Sequence, residues 1–333
     1  MTTTNQPQDP KSAYPEPPFP EQQQEPPGTE AQLEPHADHG EESYRGAGRL
    51  TDRVALITGG DSGIGKAVAI AFAREGADVV VNYLGGAEEA DAQDTVRWVE
   101  EAGRTAVAIP GDLQDEEFCR TLVERAADEL GNLDILVNNA AWQVCGDRIE
   151  EVTTEEWRRI FATNIEAMFH LSKAAIPRMR EGGSILNTTS IQAYTPSPEL
   201  LPYASTKGAI LTFTKALAQD PGVLERGLRV NAVAPGPIWT PLIPSTMPPE
   251  KAAKFGENTP LGRAGQPAEL APIYVFLASQ ESSYITGEVI GVTGGRPLSC
   301  RSRRRPRCEP RGRGVCPRAS LEPAPPGWRG PPR

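Results

Sequence analysis

The chain contains 333 residues, of which 38% are hydrophobic and 23% charged, and its formal net charge is −10 at pH 7. That length allows one large domain or two smaller ones, and the acidic balance argues against nucleic acid as a partner. The five cysteines form no Cys-x-x-Cys pair and no Cys/His cluster, so neither a metal site nor a disulfide framework is predicted.

The first 47 residues differ in composition from those that follow. They are rich in Pro, Gln and Glu, and nine acidic residues against Lys11 and Arg45 leave a net charge of about −7. Such sequence buries too little apolar surface to fold alone, so a disordered acidic arm is predicted over 1–47. The arm has no long apolar segment typical of a signal peptide or anchor, which favours a cytoplasmic protein without membrane contact.

A glycine-rich turn follows the first predicted strand. The apolar run 54–57 leads into Thr58-Gly59-Gly60-Asp61-Ser62-Gly63-Ile64-Gly65, a helical segment covers 66–75, and a second apolar run covers 79–82. In such a strand–turn–helix–strand unit, glycines permit a tight turn and a close approach of the backbone to a pyrophosphate. A plain surface loop is the alternative, but the flanking strands favour a phosphate cradle.

Strands and helices continue to alternate through the rest of the central region. Further apolar runs predict strands at 105–109, 135–138, 184–187, 229–233 and 289–292. Helical segments lie between them at about 87–102, 115–130, 155–180, 203–219 and 267–279. Nearly unbroken apolar strands alternating with helices predict an α/β fold, a Rossmann-like doubly wound parallel sheet with helices on both faces.

Tyr203 and Lys207 are four residues apart, just over one helical turn, so their side chains are expected to share one helix face. A phenol ordinarily loses its proton near pH ~10, and a fixed ammonium nearby favours the phenolate and lowers that pKa. With the Ser190 hydroxyl to orient a carbonyl oxygen, the three residues are typical of proton transfer between an alcohol and a carbonyl. For the pair alone, a surface lysine beside a packing tyrosine is the structural alternative.

Together these motifs resemble the short-chain dehydrogenase/reductase family in its single-domain form. The motifs that occur in family order over about residues 49–296 are the glycine turn, Asn138-Asn139-Ala140, the family's catalytic tetrad (Asn164, Ser190, Tyr203 and Lys207) and the turn Pro235-Gly236. The resemblance implies about seven strands in the order 3-2-1-4-5-6-7, and a homotetramer built across 155–180 and 203–219. Segments 191–194, 236–240 and 264–270 resemble a bacterial subgroup of general-stress oxidoreductases and aldehyde reductases related to glucose dehydrogenases.

The resemblance also implies the domain limits. One Rossmann-type oxidoreductase domain is expected over 48–296, in which residues 237–260, with six prolines, correspond to a mobile lid over the substrate. Residues 296–333 carry eleven Arg against Glu309 and Glu322, with abundant Pro. We therefore predict a disordered basic Pro/Arg-rich tail over 297–333.

Each tetrad residue receives a role from the resemblance. Tyr203 would act as acid and base, Lys207 would lower its pKa and hold the nicotinamide ribose, and Ser190 would orient the carbonyl oxygen. Asn164 would anchor a water between Lys207 and solvent. The expected cofactor-binding residues, besides Tyr203 and Lys207, are Gly59, Asp61, Ser62, Gly63, Ile64, Gly65, Asn82, Tyr83, Asp112, Leu113, Asn139, Ala140, Pro235, Gly236, Ile238 and Thr240.

Further expectations concern the substrate pocket and individual positions. Ala141 stands where the family usually has glycine, which predicts a slightly reshaped loop. Asp112 has a helix N-cap as an equally good alternative to a place beside the adenine. The pocket wall is expected to include Trp142, Gln143, Gln192, Tyr194 and Trp239, which suggests a small amphipathic carbonyl or alcohol as substrate.

The end of the second strand decides between NAD and NADP in such folds, because an acid there binds the ribose hydroxyls and an arginine binds a 2′-phosphate. This chain has Asn82-Tyr83-Leu84, which supplies neither, and the absence of a nearby cation favours NAD slightly. Two alternative functions stay open. One is a 3-ketoacyl-carrier reductase, and the other is a nicotinamide-binding stress or regulatory protein with incidental catalysis.

Overall fold

The computed structural model describes residues 7–146 and 148–298, so most of the predicted basic tail lies outside the described residues. Seven parallel strands form one sheet in the order β3-β2-β1-β4-β5-β6-β7. This confirms the predicted fold and strand order. The strands are β1 Val54–Thr58, β2 Asp78–Tyr83, β3 Ala106–Pro110, β4 Leu133–Asn138, β5 Met179–Thr188, β6 Arg229–Pro235 and β7 Val289–Val292.

Helices connect the strands and cover both faces of the sheet. They are α1 Gly63–Arg74, α2 Glu89–Glu101, α3 Glu116–Leu130, α4 Thr154–Phe161, α5 Ala167–Ala175, α6 Leu201–Leu217, α7 Pro221–Leu224, α8 Leu242–Thr246, α9 Pro249–Ala252 and α10 Ala271–Ala278. The single helix predicted over 155–180 is divided, because the π-turn Ala162–Glu166 separates α4 from α5 and β5 already begins at Met179. One π-turn inserts an extra residue and changes the direction in which the following side chains point.

Each face of the sheet packs in a separate hydrophobic core, to which alternate side chains of β1 and β2 contribute. Ile57 and Val81 belong to the cluster that includes α1 and α10. Leu56 and Val80, one position earlier on the same strands, belong to the opposite cluster with α3 and α5. Successive residues of a strand point to opposite faces, so a strand buried on both sides reads as an unbroken apolar run. The sequence signal for these strands follows from that double burial.

The chain reverses direction across the sheet between β1 and β4. β1 pairs with β2 on one side and with β4 on the other. The connection after β1 therefore runs to one side of the sheet, and the connection from β4 to β5 runs to the other. Such a switch point opens a crevice at the carboxyl ends of the strands, where ligands of open α/β sheets bind. The glycine turn after β1 and the Asn-Asn-Ala element after β4 lie at this crevice.

The acidic arm differs from the sequence-based expectation. Residues 7–47 are described, and they pack on the domain. Phe19 and Leu33 form a third hydrophobic cluster with Trp239 and Ile243. The expectation of a disordered arm is therefore wrong for this part of the chain. Its average composition gave no sign of order, because a few apolar residues suffice when the surface that receives them is supplied by a distant segment.

Backbone hydrogen bonds hold the arm on the lid segment 237–260. Phe19 N–H donates to Ala253 O at 2.8 Å, and Gln24 N–H donates to Pro244 O at 3.0 Å. The indole Nε1–H of Trp239 donates to Pro35 O at 2.7 Å. Backbone groups of the two proline-rich segments thus find hydrogen-bond partners in each other.

Among the residues in the described ranges, no helix has both the length and the apolar character needed to cross a membrane.

The arm's contribution to stability can be tested at Phe19, whose side chain is 6% exposed and whose ring centroid lies 4.5 Å from that of Trp239. We expect Phe19→Ala to lower the free energy of unfolding by about 3–5 kcal/mol, because truncation leaves a cavity in the third cluster. Urea denaturation measures the change. Tyr284→Ala, at a fully exposed tyrosine, is the matched control and should alter stability by less than about 0.5 kcal/mol. Equal effects of the two substitutions would contradict a docked arm.

Candidate active site

Hydrogen bonds across the crevice fasten the end of β1 to the end of β4. The Thr58 hydroxyl oxygen accepts the backbone N–H groups of Asn139 and Ala140 at 3.0 and 3.1 Å. The Asn139 side-chain amide donates in return to the carbonyl oxygens of Thr58 and Gly59, both at 3.1 Å. These four bonds hold the glycine turn in a fixed position over the sheet.

The glycines of the turn are required by their backbone conformation and by close packing. Gly59 and Gly63 have φ values of +59° and +48°, a region that side chains other than glycine rarely adopt. A Cβ atom at Gly65 would lie 1.8 Å from the carbonyl oxygen of Gly59, so α1 packs directly on the turn. The backbone amides at the start of α1 therefore approach the crevice closely, as binding of an anionic ligand requires.

One cleft brings the glycine turn and the predicted catalytic residues together. Three of the four tetrad residues line it, namely Ser190, Tyr203 and Lys207. All the residues predicted to bind a cofactor also line it except Gly65, which is buried beneath the turn. From the predicted substrate wall, Trp142, Gln143 and Gln192 line the cleft, as does the unusual Ala141.

Helix α6 carries Tyr203 and Lys207, the predicted acid–base pair, and a hydrogen bond to the end of β5 holds the buried lysine. The Lys207 ammonium donates to the Thr188 carbonyl oxygen at 2.8 Å, and its side chain is 1% exposed. Its nitrogen lies 5.2 Å from the centroid of the Tyr203 ring. The Ser190 hydroxyl accepts the Gln192 N–H at 3.1 Å, and its proximity to Tyr203 lowers the pKa of the phenol.

The pKa shifts of this pair differ from the sequence-based expectation. Burial raises the pKa of Tyr203 to about 12, and the hydrogen bond from Ser190 lowers it only in part. Burial lowers the pKa of Lys207 to about 7. The predicted lowering of the tyrosine pKa by Lys207 is thus not seen, because a buried amine with a neutral carbonyl partner is itself partly uncharged at neutral pH. Ser190 is the group that favours the phenolate.

Asn164 lies in the π-turn and outside the cleft lining. Its amide oxygen accepts the Trp142 N–H at 2.7 Å, and its amide nitrogen donates to the Trp142 carbonyl at 2.9 Å and to the Thr206 hydroxyl at 3.1 Å. Both amide hydrogens are therefore engaged by protein groups. The side chain thus joins the loop after β4 to α6, and the water-anchoring role of Asn164 stays a prediction.

Carboxyl groups line the end of the cleft beside β2. Asp61 is 3% exposed, and burial followed by the neighbouring Glu88 raises its pKa well above the usual range. Glu88 accepts the Leu84 N–H at 2.7 Å. Asn82 directs its amide to the Ile109 carbonyl at 3.1 Å. Asn82 thus joins β2 to β3. Asp61, a predicted cofactor-binding residue, shares this end of the cleft with Glu88, which sequence reasoning missed.

Asp112 is exposed at the rim of the cleft, where its carboxylate accepts the Gln114 N–H at 2.9 Å. The N-cap of α3 is Asp115, whose side chain accepts the Glu117 N–H. The N-cap alternative for Asp112 is therefore wrong, since the capping position falls three residues later. Its place beside the cleft agrees with the cofactor prediction and does not test it.

Two residues predicted for the substrate wall lie elsewhere. Trp239 is fully buried among Phe19, Phe255 and the rest of the third cluster, because the arm covers it. Tyr194 is half-buried outside the cleft, and the nearby carboxylate of Glu288 contributes to raising its pKa after burial itself. Both were expected in the pocket from the resemblance alone, and neither position is set by local sequence.

Sequence reasoning missed several residues that line the cleft. Pro27 comes from the arm, and Met247 and Phe255 come from the lid. The Arg159 guanidinium carbon lies 3.7 Å from the centroid of the Trp142 ring. Helix α4 therefore places a cation beside Trp142, in the part of the cleft predicted to contact the substrate. The helical spacing between Arg159 and Thr163, which also lines the cleft, could have indicated this face of α4. No sequence signal marked Pro27.

Comparisons with known proteins agree with this geometry. The family model described as "Enoyl-(Acyl carrier protein) reductase" matches residues 59–296. An Escherichia coli protein named uncharacterized oxidoreductase YghA is 54% identical over 291 residues, covering 87% of this chain and 98% of its own. The chain is a member of the short-chain dehydrogenase/reductase family.

Other relatives of this short-chain dehydrogenase/reductase carry more specific names. General stress protein 39 of Bacillus subtilis is 50% identical, covering 81% of this chain and 93% of its own. NADPH-dependent aldehyde reductase 1, chloroplastic, of Arabidopsis thaliana is 47% identical, covering 81% and 94%. A crystal structure of a Burkholderia cenocepacia short-chain dehydrogenase in complex with NADP aligns with a TM-score of 0.68 at 34% identity, covering 74% of this chain and 98% of that one.

The uncompensated burial of Lys207 in this short-chain dehydrogenase/reductase has a consequence for stability. Its pKa of about 7 in the folded protein lies below the ordinary lysine pKa of 10.5. The destabilisation is therefore complete below pH 7 and is relieved as the pH rises from 7 towards 10.5. We expect Lys207→Met to raise the free energy of unfolding by about 2 kcal/mol near pH 6.5, with a smaller difference at pH 10.

Urea denaturation at both pH values tests this expectation. Lys215→Met, at an exposed lysine of the same helix, is the matched control and should follow the wild-type pH dependence. Parallel pH dependences of wild type and Lys207→Met would show that the lysine keeps its ordinary pKa in the folded protein.

Proposed function

We propose that this short-chain dehydrogenase/reductase interconverts an alcohol and an aldehyde or ketone with NAD(H) or NADP(H). The observation that carries the proposal is the single cleft shared by Ser190, Tyr203 and Lys207 with the glycine turn of β1. A hydroxyl donor, an acid–base phenol and a buried amine are the groups that proton transfer to a carbonyl oxygen requires.

The residues of the cleft fit a dinucleotide. Gly63 and Gly236 line the cleft without side chains of their own and pack tightly, because a Cβ atom at Gly63 would lie 2.9 Å from Thr240 and one at Gly236 would lie 2.8 Å from Thr293. The turn from Gly59 to Ile64 would hold the pyrophosphate, and Asp112 and Leu113 would border the adenine. When bound, the nicotinamide supplies or accepts the hydride.

Side chains of the protein would carry out the proton transfer that accompanies hydride transfer. Tyr203 exchanges a proton between its phenol oxygen and the substrate oxygen, and Ser190 orients that oxygen by hydrogen bonding. The hydrogen bond from Ser190 to Tyr203 also lowers the pKa of the phenol against the opposing effect of burial. Lys207, when protonated, adds a positive charge within one helical turn that favours the phenolate. Trp142 and Gln192 would contact the substrate.

The aldehyde reductase interpretation is favoured over the two alternatives. The Arabidopsis relative named as an aldehyde reductase is 47% identical to this chain. A carrier-bound ketoacyl substrate calls for a basic docking surface, and the acidic chain offers little sign of one. A purely regulatory protein would not need a buried lysine that destabilises the fold.

We also propose a cytoplasmic homotetramer. Trp157 on α4 and Phe169 on α5 are 37% and 47% exposed, in the region that the family resemblance assigns to subunit contacts. Large exposed aromatic side chains are common at protein interfaces. Sedimentation equilibrium measures the assembly, and a monomer at micromolar concentration would exclude it.

The proton-transfer role of Tyr203 is tested by Tyr203→Phe. We expect the rate of carbonyl reduction to fall by at least about 100-fold, because the acid–base group is removed, while NAD(P)H binding is retained. A panel of aldehydes, ketones, sugars and polyols should be assayed with both cofactors. Tyr194→Phe, outside the cleft, is the control and should keep near wild-type activity. Substantial turnover by Tyr203→Phe would exclude the assigned mechanism.

Cofactor preference is a separate prediction. The solved relative is described with NADP and the Arabidopsis relative as NADPH-dependent, so the comparisons do not favour NAD. We propose NAD because the carboxyl groups of Asp61 and Glu88 line the β2 end of the cleft, where they can hydrogen-bond ribose hydroxyls but supply no positive charge to a 2′-phosphate. The expected kcat/KM is higher with NADH, and Glu88→Gln should shift the ratio towards NADPH. A tenfold or greater preference of the wild type for NADPH would refute the proposal.

A further inference from the structure

A part of the arm, residues 27–41, runs between the cofactor turn and the lid, and is called the strap here. At the turn, the strap's Glu30 carboxylate accepts the N–H of Gly63, the first residue of α1, at 2.7 Å. Glu30 is 8% exposed, and its own N–H donates to the Asp91 carboxylate on α2 at 2.9 Å. An acidic residue of the arm is thus bonded to the turn proposed to hold the pyrophosphate.

The same strap is bonded to the lid on both sides of Glu30. The carbonyl oxygen of Pro27 accepts the Ser245 hydroxyl at 3.1 Å, and that of Pro35 accepts the Trp239 indole at 2.7 Å. Leu33 packs with Trp239 in the third hydrophobic cluster. Displacement of the strap would therefore disturb the cofactor turn and the lid together.

A buried histidine compensates the charge of Glu30. His39 is 3% exposed, with Nε2 at 2.8 Å from Glu30 and Nδ1 at 2.9 Å from Glu41. Burial alone would lower its pKa, but the two carboxylates raise it to about 9, so the histidine is protonated at neutral pH. Lys66 on α1 lies 3.7 Å from Glu41 and is paired with Asp94 on α2. Glu30 can therefore keep its charge close to a site for an anion.

We propose that Glu30 is a positioning residue that fixes the cofactor turn relative to the lid, so that dinucleotide and substrate enter a preformed cleft. The inference rests on the proposed function. Gly63 is the junction, since its N–H binds Glu30 and its Cα faces Thr240 of the lid so closely that a Cβ atom would lie 2.9 Å away. A group held at such a junction contributes to affinity by preorganisation, without touching the reacting atoms.

The test compares Glu30→Gln with wild type in the full-length chain. The variant keeps the size of the side chain but replaces a charge-assisted hydrogen bond with a weaker neutral one. We expect the Kd for NADH, measured by fluorescence, to rise by about tenfold and the substrate KM to rise with it, while kcat changes by less than about threefold. Glu34→Gln, at an exposed glutamate of the same strap, is the matched control and should match wild type.

The measurements distinguish a failure of the proposed function from a failure of the positioning proposal. A wild type that binds neither NADH nor NADPH refutes the proposed function itself. A Glu30→Gln variant with a lower Tm but unchanged Kd and KM at 25 °C assigns Glu30 a purely structural role and overturns the positioning proposal. If Glu30→Gln does not fold, Glu30→Asp, whose shorter carboxylate moves away from Gly63, gives the same comparison.

Hydrogen exchange on the wild type needs no substitution. We expect NADH to slow amide exchange in the strap and in residues 237–246 as well as in the glycine turn, since the three segments are bonded together. If NADH slows amide exchange in the glycine turn alone, the proposed coupling between the turn, the strap and the lid is overturned.

Discussion

The arrangement of this protein depends on a buried amine without an acidic partner. Lys207 is 1% exposed and donates to a backbone carbonyl, so its charge is opposed by burial and supported by a dipole alone. A group of this kind persists when the surrounding structure fixes it. The surroundings here are the end of β5, which supplies the Thr188 carbonyl, and α6, which presents Tyr203 on the same face. The cleft is built at a cost in stability.

Much of the fold could be predicted from the sequence because the strands are buried on both faces. A short apolar run such as 54–57 predicts a strand and not a helix when a glycine turn and a helical pattern follow it directly. The same applies to Ser190, Tyr203 and Lys207, whose spacing is set by one strand end and one helix. Local sequence carries this information, since each element positions its own side chains.

What could not be predicted depends on contacts between segments far apart in the chain. The arm's composition indicates disorder, yet its few apolar side chains bury themselves on a surface made by the lid. Trp239 lies outside the predicted pocket because the arm buries it. The hydrogen bonds of Asn164 arise from the π-turn, whose extra residue no helical periodicity reveals. The pKa values of Tyr203 and Lys207 depend on burial, which the spacing of the two residues does not reveal.

The separation between the strap and its lid partners bears on biosynthesis. Pro35 and Trp239, joined by a hydrogen bond, are 204 residues apart in the chain. At ribosomal rates of roughly 5–20 residues per second, the arm leaves the ribosome roughly 10–40 seconds before its docking surface has been made. During translation the N-terminal segment therefore waits without its apolar contacts, and its abundant acidic and proline residues keep the nascent chain from premature association. The composition that resembles disorder suits a segment that is made first and docks last.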